Sequence, residues 1–170
     1  NMKRKKLEPF VLEEYLAKRE FSAKYMFCSS DVESQKISQI LELLPQEIKE
    51  EFLNLSLEYT TTEGAYNLRE EIASMYDNIT EDNVHCFAGA EEAIFATAST
   101  LLNEKDHAIS ITPCYQSLSS VAKSICDASE ISLESRENQW YLDVNKLHDN
   151  IQKNTKIIFI NFPHNPTGYI

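Results

Sequence analysis

Lys156-Ile157-Ile158-Phe159-Ile160 runs directly into Asn161-Phe162-Pro163-His164-Asn165-Pro166-Thr167-Gly168. The first five residues read as a buried strand, being short, apolar and rich in β-branched side chains. The next six hold two asparagines and two prolines. Proline stiffens a loop by fixing φ, and an asparagine amide can donate a hydrogen bond to an anionic oxygen. The Asn165–Pro166 bond is a candidate for the cis form, which is essentially confined to X-Pro. The plain alternative is a turn made of strong turn formers.

Working back from that strand, residues 66–76 read as a helix with Leu68, Ile72 and Met75 on one face. Strand-like and helical stretches then alternate: 83–87, 90–102, 107–112, 115–125, 129–133, 144–151 and 156–160. Such alternation implies an α/β fold, a mainly parallel sheet with helices on both faces joined by crossovers. The first third differs. Residues 7–19 and 34–44 carry apolar side chains at helical spacing, Pro45 ends the second run, and 46–53 reads as another short helix. Between the first two, 25–31 reads as a short extended piece leading into a turn.

A chain of 170 residues suits one domain with a real core. Its formal charge of -11 argues against a nucleic-acid partner, since phosphate binding needs clustered Lys and Arg. The basic run Lys3-Arg4-Lys5-Lys6 reads as a solvated tail. No apolar segment approaches the roughly 20 residues of a membrane helix, and no signal-peptide core follows the basic start. A cytoplasmic protein with reduced thiols at Cys28, Cys86, Cys114 and Cys126 is therefore expected. The scattered histidines and cysteines form no metal-binding spacing.

In open α/β sheets ligands gather at the carboxyl ends of the strands. Three loops qualify here: Ala88-Gly89-Ala90-Glu91, Pro113-Cys114-Tyr115 and 161–168. Gly89 allows close backbone approach, and the helix start behind it favours an anion such as phosphate. Glu91 and Glu92 would repel that anion unless they point away, so only backbone contacts are plausible there. An ordinary tight turn is the other reading. Tyr115 offers a flat ring for stacking on a heteroaromatic ligand, or else packs beneath the helix that follows. Tyr59-Thr60-Thr61-Thr62-Glu63-Gly64 with Leu68-Arg69 is a loop, a glycine and a helix start, with Arg69 read most simply as a surface or ion-pairing residue.

Taken together and in this order, the string from Tyr59 to Gly64 with Leu68-Arg69, Gly89-Ala90-Glu91-Glu92-Ala93, Pro113-Cys114-Tyr115 and the octet from Asn161 resemble the fold-type I aminotransferases of classes I and II, which use pyridoxal 5'-phosphate (PLP). The octet is highly specific for that family, the other strings only in combination. The resemblance implies that residues 1–58 are a helical segment belonging to the small domain or arm. Residues 59–170 would be the N-terminal portion of the large, PLP-binding domain, incomplete at residue 170. It implies backbone contacts from Ala90 and Glu91 to the cofactor phosphate, a stacking ring at Tyr115 and a hydrogen bond from Asn165 to the cofactor's phenolic oxygen. Asn161 would support the same loop. Tyr59 would reach the phosphate of the neighbouring subunit's site, which implies a homodimer.

The substrates implied are an amino acid and a 2-oxo acid. In the family the Schiff-base lysine, the aspartate at the ring nitrogen and the arginine for the substrate carboxylate come later in the sequence. They are expected beyond Ile170, so no catalytic residue is assigned in this chain and the chain alone is not expected to transaminate. The family often has a glycine near residues 28–31 that packs beside the substrate, and none occurs here. The motifs bind cofactor rather than choose the reaction, so a lyase, decarboxylase or synthase of the same fold is an alternative. So is a truncated relative kept for binding or dimerisation.

Overall fold

The computed structural model describes residues 6–28, 30–137 and 139–170. The basic run at Lys3, Arg4 and Lys5, and Ser29 within the 25–31 turn, lie outside the described residues. By internal contacts the chain divides into two units, Asn1–Ser30 with Ala88–Ile170, and Asp31–Phe87.

The larger unit is built on a parallel sheet of β1 (His107–Thr112), β2 (Asp127–Ser132) and β5 (Thr155–Phe159), in the order β2-β1-β5. In register, His107 lies opposite Asp127 and Thr155, and Thr112 lies opposite Ser132. β1 is central and buried along nearly its whole length, as parallel strands covered on both faces must be. Successive β1 side chains therefore feed two cores. Ala108 joins Ala98, Leu102, Val121, Ala122 and Ile125 beneath α5 (Ala90–Leu101) and α6 (Ser117–Ile125), with Ile157 and Phe159 of β5 packed against them. Ile109 and Ile111 join Ile131 and Leu133 on the other face. There Trp140, Leu142 and Leu147 cover them from a hairpin of β3 (Glu134–Arg136) and β4 (Gln139–Tyr141) and from α7 (Val144–Asp149). A βαβ unit whose strands pair side by side needs such a crossover helix, and α6 supplies it between β1 and β2.

His107 is fully buried at the amino end of β1. Its Nδ1 lies 2.7 Å from the Thr155 hydroxyl and its Nε2 3.0 Å from the Ser129 hydroxyl, so one imidazole spans all three strands. Burying a polar ring is tolerable because both nitrogens are paired. α1 (Val11–Leu16) belongs to this unit and is shorter than the 7–19 stretch of apolar spacing.

The smaller unit holds α2 (Ile37–Glu42), α3 (Gln46–Leu53), α4 (Tyr66–Ser74) and a 3-10 turn at Glu81–Asn83. The strand expected at 83–87 does not form. Cys86 N–H bonds to the Glu63 carbonyl at 2.8 Å, but no ladder partner runs beside the segment among the described residues. Alternating side chains make a strand only where a neighbour accepts its backbone. No helix among the described residues is long and apolar enough to cross a membrane.

Candidate functional site

β1 and β5 are parallel, so the loops after them leave the same, carboxyl edge of the sheet. His164 ties these loops together. It is 2% exposed, and its Nε2 lies 2.7 Å from the Pro113 carbonyl, a group that can only accept. The Nε2 therefore carries the hydrogen. In the neutral ring Nδ1 then accepts the Thr167 hydroxyl at 2.7 Å. The His164 backbone closes the loop as well: its N–H donates to the Tyr169 carbonyl and its carbonyl accepts from Gly168. The Asn165–Pro166 bond is cis, as are Phe162–Pro163 and Thr112–Pro113. Within this frame Asn161 and Asn165 are half-buried, and neither side-chain amide has a hydrogen-bond partner among the described residues. Their donors are available to a ligand.

The start of α5 belongs to the same cluster. Gly89 caps the helix at φ +108°, a conformation open to glycine and strained for other residues. Apart from its own chain neighbours, no atom lies within 4 Å of where a Cβ would stand, so the backbone can be approached closely. The first-turn amides, those of Ala90 and Glu91 included, have no acceptor inside the helix. Of the acidic side chains beside them, Glu92 folds back onto the turn itself. Glu92 Oε2 accepts the Ala88 N–H at 2.7 Å, and Glu91 acts on the Tyr115 hydroxyl. An anion at the helix start would meet the Ala90 and Glu91 amides and the positive end of the helix dipole, with the Glu92 carboxylate held beside it at the Ala88 N–H.

Tyr115 stands between these elements, half-buried. Burial, then the Glu91 and Glu13 carboxylates, push its pKa up to about 12. It therefore stays a neutral phenol and a hydrogen-bond donor at any working pH. Its hydroxyl donates to Glu13 Oε1 at 3.2 Å, and the Phe10 ring meets it edge-on, with centroids 5.3 Å apart.

Five of the residues singled out in the sequence, Ala90, Glu91, Tyr115, Asn161 and Asn165, thus fall in one unit. His164 ties the loop after β1 to the 161–168 loop, and the Glu91 carboxylate helps raise the Tyr115 pKa. Tyr59 lies in the other unit and is fully exposed. Arg69, read as a surface or ion-pairing residue, instead clamps backbone. Its Nε donates to the Gly64 carbonyl at 3.0 Å and its Nη1 to the Glu81 carbonyl at 2.6 Å.

His164, Glu13 and Gln116 went unnoticed in the sequence. His164 occupies a variable position of the octet, and its partner is 51 residues away. Nothing local marks it. Chemically, the arrangement joins an anion seat, a flat ring and free amide donors at the mouth of a parallel sheet. This donor set fits a phosphorylated heteroaromatic ring.

Known proteins resemble this chain in sequence and fold. The model of the family described as aminotransferase class I and II matches residues 26–170. An aspartate aminotransferase of Pyrococcus horikoshii is 35% identical over 116 residues, 65% of this chain and 29% of that protein. A capreomycidine synthase of Streptomyces vinaceus is 27% identical across 92% of this chain and 41% of its own length. Among solved structures, a PLP-dependent aminotransferase from Streptococcus suis superposes with a TM-score of 0.86 at 29% identity, covering 95% of this chain and 44% of that one. The chain therefore spans less than half the length of these relatives. With that match across most of its length and the three loops assembled at the sheet edge, the chain belongs to the class I and II aminotransferase family.

Proposed function

We propose that the protein of which this chain forms part is a PLP-dependent aminotransferase that moves an amino group between an amino acid and a 2-oxo acid. The observation that carries this reading is the meeting of the Gly89 turn, Tyr115 and the 161–168 loop on one unit, with an exposed helix start and two unpartnered asparagine amides. In this reading the Ala90 and Glu91 amides hold the cofactor phosphate, Tyr115 stacks on its ring, and Asn165 donates to its phenolic oxygen. Asn161 supports the loop. Tyr59 serves the phosphate region of a partner subunit's site, so the protein works as a homodimer. Bound, the cofactor supplies an electron sink for the substrate carbon. Residues 1–58 then belong to the small domain or arm and 59–170 to the large domain. The lysine that anchors the cofactor is supplied by sequence beyond this chain, and residues 1–170 alone do not transaminate. A cytoplasmic location is part of the same proposal.

The test uses the full-length protein. Purified protein should bind PLP, show its absorption and convert amino acids from a panel to 2-oxo acids detected by mass spectrometry. Asn165→Ala should shift that absorption band and weaken turnover. A full-length protein that binds no PLP, or an Asn165→Ala variant with unchanged spectrum and rate, would sink the assignment.

A second reading has one observation behind it. A protein matched across 92% of this chain is named a capreomycidine synthase rather than an aminotransferase. In this reading the full-length protein is a lyase, decarboxylase or synthase built on the same cofactor site. Products other than a 2-oxo acid in the same assay would favour it.

A further inference from the structure

Tyr115 and its neighbour Gln116 are gripped by the N-terminal segment, about a hundred residues away in sequence. The Gln116 side chain uses both ends of its amide. Its Oε1 accepts the Val11 N–H at 3.1 Å and its Nε2 donates to the Pro9 carbonyl at 2.8 Å. This is the pairing a neighbouring strand would make, supplied by one side chain. Between those two anchor points, Phe10 sets its ring edge-on to Tyr115 with an interplanar angle of 75°. One helical turn on, Glu13 takes the Tyr115 hydroxyl hydrogen. The ring is therefore held by an aromatic contact with Phe10 and at its tip by a hydrogen bond to a carboxylate.

We propose that residues 9–13 form a strap that fixes the pose of the Tyr115 ring, with Phe10, Glu13 and Gln116 acting as positioning residues for cofactor stacking. The proposal rests on the reading of Tyr115 as the stacking ring. A tyrosine free to rotate must be immobilised when a ligand stacks on it, and that ordering weakens binding. Held in advance, it presents a preorganised face. The high pKa of Tyr115 keeps the phenol a donor, so the latch does not open over the working pH range. Linkage makes the effect reciprocal: a ligand that favours the strapped pose tightens the strap by the same factor.

The experiment uses the full-length protein, PLP as the probe and two readouts, the PLP dissociation constant of the apoprotein and amide hydrogen exchange over residues 9–16. Glu13→Ala, Gln116→Ala and Tyr115→Phe should each weaken PLP binding about fivefold, the worth of one ordinary hydrogen bond. Glu13→Ala combined with Tyr115→Phe should weaken it no further than Tyr115→Phe alone, because the phenylalanine variant has already lost the bond to Glu13. Glu13→Gln should bind nearly as the parent, since its amide oxygen still accepts the phenolic hydrogen. Adding PLP should slow exchange at the Val11 amide.

If Glu13→Ala and Gln116→Ala bind PLP as tightly as the parent while Tyr115→Ala binds weakly, the strap is wrong and the site stands. If Tyr115→Ala itself binds normally, both the stacking assignment and the strap fall. Exchange at Val11 that ignores PLP also overturns the proposal.

Discussion

Replacing His164 with alanine removes both side-chain tethers of the 161–168 loop and leaves a gap where a buried imidazole stood. We expect a loss of about 2–3 kcal/mol, from the cavity and the lost hydrogen bonds together. Glutamine at 164 can still carry an amide hydrogen to the Pro113 carbonyl, so His164→Gln should recover part of that loss, measured by urea denaturation. Equal stability for the alanine and glutamine variants would show that the link to Pro113 does not matter. Cys114, in the next loop, gives a pH-dependent readout. Burial first, then Glu130, raises its thiol pKa, with Lys123 opposing. A raised thiol pKa means less thiolate at a given pH. Alkylation of Cys114 should therefore lag behind that of the exposed Cys28 near about pH 8 and catch up only as the pH climbs further. Glu130→Gln should shorten the lag. Mass spectrometry of the labelled peptides decides it, and equal labelling rates near neutral pH would contradict the assigned burial.

At the scale of elements, the 59–64 loop and α4 form a device whose parts are each ordinary. Gly64 stands at φ +104°, and a Cβ there would come within 2.7 Å of the Cys86 Cβ and 2.9 Å of its sulfur. Arg69 reaches back from α4 to the Gly64 carbonyl, and Thr61 does the same with its hydroxyl. Gly64→Ala must both strain the backbone and push Cys86 aside, for an expected loss of about 2–4 kcal/mol. Cys86→Gly on that background should restore part of it by vacating the space, and a thermal melt of each variant measures both effects. No change in Gly64→Ala would mean that the loop relaxes freely.

Particular elements of both units show where sequence reading succeeds and where it stops. Helix α3 and strand β1 match their expected spans residue for residue because local pattern and surroundings agree there: Pro45 opens the one, and an apolar run bounded by turns defines the other. The 83–87 stretch has the right alternation for a strand, but a strand needs a neighbour, and that information is not local. The β3–β4 hairpin escapes notice for the opposite reason. Its strands are three residues long and largely polar, too short for a period to show. In the site, the backbone and ring positions at Gly89, Ala90 and Tyr115 could be read from motifs. The ties among them, His164 to Pro113 and Gln116 to Pro9, could not, because each joins residues far apart in the chain.

In the larger unit, one edge strand of the parallel sheet is only partly covered. β2 and β5 are the edges of the three-stranded sheet, and β5 is covered on one face only. Ile157 and Phe159 pack beneath α5 and α6, whereas Ile158 on the opposite face is 36% exposed and Ile160, just past the strand, 56% exposed. Parallel strands are normally buried on both faces. An uncovered apolar edge with free backbone donors and acceptors is a template for pairing with another chain. The isolated 170-residue chain should therefore self-associate as its concentration rises, with β5 as the seam. Charge introduced on the exposed face opposes such pairing without touching the buried core. Ile158→Lys with Ile160→Lys should thus shift the population toward monomer while leaving the helical circular-dichroism signal intact. Sedimentation velocity over a wide concentration range reads the outcome directly. A chain that stays monomeric throughout and melts in one sharp transition would show that the sheet is complete as it stands, and that β5 is shielded by its own residues rather than awaiting a neighbour.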